Sequence, residues 1–167
     1  MKTYAQRYED FTLATIKLAN KIQSANISNL QNVKYTLPEI TFALRNIYKN
    51  PVHHTRLVSS KMSDNRWSDG FCAMSSLTIY EMTGGADVWN LMAILYNDWV
   101  VDGKNISSVV FLQDKKTGIN FGTVGEFLYP LEIPYDIGVP LDVKRLCMID
   151  NQDLKNVLIK ELGQNRN

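Results

Sequence analysis

The residue with the most chemical potential is Cys72, in the segment Asp69-Gly70-Phe71-Cys72-Ala73-Met74-Ser75-Ser76. It follows a glycine and a polar stretch and stands at the start of a predicted helix. Unpaired backbone N–H groups and the positive end of the helix dipole stabilise a thiolate there, and the thiolate is the nucleophilic form. The competing expectation is a core cysteine that packs as a small hydrophobe. A nucleophilic thiol needs a base, and the chain has two histidines, His53 and His54, both upstream of Cys72. The stretch between them is long enough for one to fold back, which makes Cys72 with His54 the candidate catalytic pair. The bland alternative is two solvated loop histidines. As metal ligands the pair is weak, because neighbours in an extended chain point to opposite sides and no cysteine or carboxylate cluster joins them at ligand spacing. No metal and no cofactor is expected.

Other polar groups point less clearly to chemistry. Asp136 and Asp142 flank Ile137-Gly138-Val139-Pro140, with Glu126 and Glu132 nearby, and nothing in their spacing brings two carboxylates to acid–base distance. Gly118, Gly122 and Gly125 lack the strand–loop–helix context of a phosphate cradle. Ser75 and Ser76 fall inside a helix and lack the strained elbow of a hydrolase serine. The second cysteine, Cys147, is too distant in sequence to imply a disulfide framework or a zinc site, so both are expected to be reduced thiols. The aromatics Trp89, Tyr96, Trp99, Tyr129 and Tyr135 are expected mainly in the core, with some available for a protein-binding patch.

The elements that must position these groups follow from periodicity. Ala5 to Ser24 reads as a helix with Phe11, Ala14, Leu18 and Ile22 on one face. Leu37-Pro38-Glu39 opens a second helix, with proline in the first turn, a buried stripe of Ile40, Ala43, Leu44 and Ile47, and a stop at Asn50-Pro51. Val52 to Gly70 is polar and is expected to be an irregular loop. A third helix runs from Cys72 to Met82 and ends at Thr83-Gly84-Gly85. The second half reads as strands: Val88 to Leu95, then Ser107 to Leu112, then a turn at Asp114 to Gly118 and a return strand over Ile119 to Thr123. Leu131-Glu132-Ile133 and Val143 to Met148 are further strand candidates. A last helix, Leu154 to Leu162, can be capped by Asp150 or Asn151. Helices first and strands second predict an α+β fold, with N-terminal helices packed on an antiparallel sheet and a C-terminal helix.

The chain has 167 residues, 45 % apolar and 21 % charged, which suits one domain spanning 1–167 with a real core. Eighteen basic residues against seventeen acidic give a net charge of +1. That balance, without a basic stripe, argues against a nucleic-acid partner. The first ten residues lack an apolar signal region, and no apolar run approaches the roughly 18 residues a membrane span needs. A cytoplasmic protein is expected, and its many asparagines and lysines point to an AT-rich genome, bacterial or phage.

Leu37 to Leu44, the polar stretch with Trp67, Gly70-Phe71-Cys72-Ala73 and the Thr83-Gly84-Gly85 stop together resemble the small bacterial YunG-like proteins over roughly Leu37 to Phe127. The resemblance implies a papain-like fold with a Cys–His–Asp order, in which a Gly-Gln-Cys segment opens a helix and a later strand brings the histidine. The departures are specific. Phe71 stands where the family has glutamine, which removes a side-chain donor for an oxyanion. Ser108-Val109-Val110-Phe111 stands where the histidine strand would be, and no histidine is in it. Asn120 stands near the place of the orienting aspartate, while Thr123 and Glu126-Phe127 match the closing segment loosely. The expectation is therefore a catalytically degenerate papain-like domain that binds or inhibits another protein and is phage- or mobile-element-encoded. The alternative is a thiol-dependent hydrolase or acyltransferase with Cys72 as nucleophile.

Overall fold

The computed structural model describes residues 1–58, 67–68, 70–125, 132–146 and 150–166. Among these it contains seven α-helices, a four-stranded antiparallel sheet and a separate two-stranded ribbon. The fold is α+β, as the order of helical and strand-like segments predicts.

The first helix, α1, runs over Tyr4–Ala25 and opens with a capping box between Thr3 and Gln6. Its buried stripe is Tyr8, Thr12, Thr15, Ala19 and Ile22, and Ala14 is exposed. The stripe is rotated from the one that apolar spacing predicts because Thr12 and Thr15 are buried. Their hydroxyls donate to the carbonyls of Tyr8 and Phe11, so each polar group is satisfied within the helix. After a single turn, α2 (Ile27–Leu30), comes α3 (Leu37–Tyr48). There Thr36 and Glu39 form a second capping box, and Ile40, Ala43, Leu44 and Ile47 are buried as predicted.

The stretch after Asn50 is a correction. Pro51–Val58 is a helix, α4, and not an irregular loop. Pro51 occupies the first turn, where a missing N–H costs nothing, and the Asn50 side chain accepts from the Val52 N–H at 3.0 Å. The predicted third helix is α5, Cys72–Met82. It stops at Gly84, whose φ of +94° suits glycine, and a side chain there would meet Val88 at 2.5 Å.

The sheet begins with β1 (Trp89–Ile94) and continues with β4 (Val109–Asp114), β5 (Asn120–Phe121) and β6 (Val139–Pro140), in the order β5-β4-β1-β6. The ribbon is β2 (Val100–Val101) with β3 (Lys104–Asn105). β1 and β4 pair in register from Trp89 with Asp114 to Ile94 with Val109. Alternate residues serve two cores. Trp89, Leu91, Leu112 and Phe121 face the helices, while Ile94, Val109 and Phe111 face a smaller cluster closed by Trp99, Ile106 and Tyr135. Both faces are covered over most of its length, which is why β1 reads as an apolar run broken only by the exposed Asn90.

Two strand expectations change. Glu132 and Ile133 lie outside any strand, and Leu131 is outside the described residues. Val143–Leu146 is a short helix, α6, because Asp142 turns the chain by accepting from the Lys144 and Arg145 N–H groups. The sheet edge is taken instead by β6, paired with Met92 and Ala93. The C-terminal helix α7 covers Gln152–Asn165. Asp150 accepts from its Gln152 N–H, while the Asn151 side chain turns inward to Thr78 and Glu81 of α5.

Candidate functional site

Cys72 is the first residue of α5, as predicted, and is half-buried at the margin of the main core. The turn before it depends on Gly70, which has a φ of +85° and lies so near α4 that an added Cβ would sit 3.3 Å from Val58. Only a residue without a side chain lets the two helices approach this closely through a left-handed turn. Phe71 caps the helix without a side-chain hydrogen bond and is fully buried. Its ring packs against Tyr48 of α3 with centroids 4.5 Å apart and meets His54 of α4 edge-on at 5.5 Å. The position that would hold a polar oxyanion donor in the YunG-like pattern is thus an aromatic plug between three helices.

His54 is 1 % exposed, so it is a core residue of α4 and not a solvated loop histidine. The fold does bring it to the residue preceding Cys72, across a stretch of sequence in which residues 59–66 and 69 are outside the described residues. His53 faces elsewhere, since successive residues on a helix diverge by about 100°. It is half-buried beside α7, and burial is the main cause that holds its imidazole below the ordinary value, with Glu161 opposing and Arg56 and Lys160 adding to the shift.

Behind Cys72 lies a polar layer that apolar periodicity does not reveal. The Tyr48 hydroxyl meets the Ser75 hydroxyl and, at 2.7 Å, that of Thr123. Arg45, fully buried, donates to the Thr12 hydroxyl and to the Thr123 and Tyr8 carbonyls, and its guanidinium lies 3.6 Å from the Tyr8 ring centroid. The signal available in the sequence was Thr12 and Thr15 at helical spacing from Tyr8 and Ala19. Ser75 is therefore part of a packed hydroxyl chain. Ser76 donates to the Val110 carbonyl and ties α5 to β4.

β4 is the strand that packs on the Cys72 helix, and it consists of Val109, Val110, Phe111, Leu112, Gln113 and Asp114. Asn120, on β5, accepts from the Gln113 side chain at 3.2 Å. Asp142 caps α6, Asp136 and Glu132 are exposed, and Glu126, Tyr129 and Cys147 are outside the described residues. Tyr135 packs on Phe111, and burial pushes its phenol up to about 12. Among the described residues no group of three or more His, Cys, Asp or Glu could hold a metal ion, and no helix is long and apolar enough to cross a membrane.

No family model, curated protein or solved structure matches the chain.

Proposed function

We propose that this chain is a non-catalytic protein-binding or inhibitory module of the cytoplasm, built on a degenerate papain-like frame. The observation that carries this reading is the strand facing the Cys72 helix. β4 offers valine, phenylalanine and leucine where a papain-like site needs a base. The Phe71 plug supports the same reading, because it leaves no side-chain amide to stabilise an oxyanion. Leu95, Tyr96, Ile137 and Val139, exposed around the end of β1 and its edge partner β6, supply an apolar surface on which a protein partner would dock.

The test is turnover. Purified protein is incubated with peptide, amide and thioester substrates beside a Cys72→Ala variant. The expected result is no hydrolysis or acyl transfer that depends on Cys72. Turnover abolished by Cys72→Ala would sink the proposal.

A second reading has one specific observation in its favour. His54 packs against Phe71, next in sequence to Cys72, so the rearranged pair of Cys72 as nucleophile and His54 as base is geometrically sensible. It predicts that Cys72→Ala and His54→Ala abolish the same activity. An activity retained in either variant would remove it.

A further inference from the structure

Two helices, α4 and α7, both pack on α3 and leave between them a cleft of about 400 Å³. That volume lies within the roughly 300–1,000 Å³ usual for small-ligand sites. Seven of its eight lining residues are polar, Val157 being the exception, although their apolar stems supply about half of the wall. From α7 come Asn156, Lys160, Glu161 and Gln164, whose spacing puts them along one face. From the opposite wall come His53 and Arg56, three residues apart on α4.

Three features define what would fit. Arg56 and Lys160 together outweigh Glu161, so the walls carry a net positive charge with His53 neutral. Among the described residues, the acid paired with Arg56 is Asp153 at 4.0 Å, a loose pair with both side chains largely exposed, which leaves guanidinium donors available to a ligand. The Nδ1 atom of His53 is buried and has no hydrogen-bond partner among the described residues. A buried ring nitrogen without a partner is costly, and a ligand group that turned the ring towards the cleft and hydrogen-bonded to it would remove that cost.

We infer that the α4–α7 cleft is a binding site for a small ligand bearing a carboxylate or phosphate group, with Arg56 and Lys160 taking the oxyanion, His53 Nδ1 hydrogen-bonding to the ligand, and Asn156 and Gln164 reading its other polar atoms. The site stands apart from Cys72 and rests on neither functional reading above. Glu161 limits the charge it accepts, which favours one anionic group over a polyanion.

The experiment is a titration of the labelled protein with sodium phosphate and, separately, sodium acetate, at constant ionic strength and pH 7. The His53 ring resonances are followed by NMR, with those of the buried His54 as an internal reference. A saturable shift of His53 without a matching shift of His54 is expected with at least one anion. Phosphate alone would assign a phosphate ligand, acetate alone a carboxylate, and both the shared oxyanion chemistry. In a protein carrying Arg56→Gln and Lys160→Gln together, binding should weaken at least about tenfold, the loss expected when two charge-assisted contacts go. Linear, non-saturating shifts with both anions, or unchanged binding in the double variant, would overturn the inference.

Discussion

At the scale of single residues, the consequential feature is that His54 and Phe71, the residue before Cys72, are set in aromatic packing. Phe71 stands between Tyr48 and His54, so His54→Ala opens a cavity against a fully buried ring. It should destabilise the fold by about 2 kcal/mol, measured by urea denaturation, as large-to-small core changes do. A second residue-scale prediction concerns Trp89, whose indole N–H donates to the Thr83 hydroxyl at 2.8 Å and more weakly to its carbonyl. Thr83→Val keeps the shape and removes the better acceptor, at a cost of about 1–2 kcal/mol by the same measurement. The position of Cys72 was legible from its glycine and polar approach. The burial of His54 was not, because a polar stretch with two adjacent histidines carries no apolar period to mark α4. The Arg45 layer was hidden for a related reason: its partners are threonines and backbone carbonyls, which a search for apolar faces passes over.

At the scale of elements, the helix α3 and the strands β1 and β4 follow closely from the sequence. Ile40, Ala43, Leu44 and Ile47 give α3 its period, and the β-branched content of β4 with the glycine-containing turn after Asp114 gives the hairpin. Short elements held by tertiary contacts were not legible. β6 contains Pro140 and has two paired residues, and α6 arises from the Asp142 side chain and not from an apolar pattern. The last turn of the chain is anchored by Arg166, which donates to both carboxylate oxygens of Glu39 and to the Lys34 carbonyl and lies over the Tyr35 ring. The hydrogen bond from Arg166 is the main cause that holds the Glu39 carboxyl below the usual carboxylate range. A carboxyl whose folded value is lowered contributes stability that is complete above its unfolded value of about 4.3 and is lost as pH falls through the lower folded value. Arg166→Gln should therefore lower the stability at pH 7, and its deficit relative to the parent protein should shrink towards zero as pH falls through the carboxylate range. Because both groups are partly exposed, the deficit at pH 7 should also diminish in high salt. Denaturation curves at pH 7 and at low pH, with and without salt, check both statements. A deficit independent of pH would assign the role of Arg166 to packing on Tyr35.

At the scale of the whole molecule, the helices and the sheet share one main core, and the reverse face of the sheet is closed by Trp99, Ile106 and Tyr135. This arrangement leaves an apolar margin at the β1–β6 edge, where Tyr96 is 55 % exposed. If that margin receives a protein partner, Tyr96→Asp and Val139→Asp should abolish binding while the stability stays within about 0.5 kcal/mol, as surface substitutions usually do. Cys72→Ala should leave binding intact. Photocrosslinking from position 96, compared between the parent protein and Val139→Asp, reads the first effect, and thermal melts read the second. The proposed lack of catalysis is tested by the alkylation rate of Cys72 with iodoacetamide at pH 6, followed by peptide mass spectrometry beside a free thiol of ordinary acidity. A structural cysteine on this frame should react no faster than the free thiol. Modification more than about tenfold faster, and slowed by His54→Ala, would mean an activated thiolate and would contradict the non-catalytic assignment.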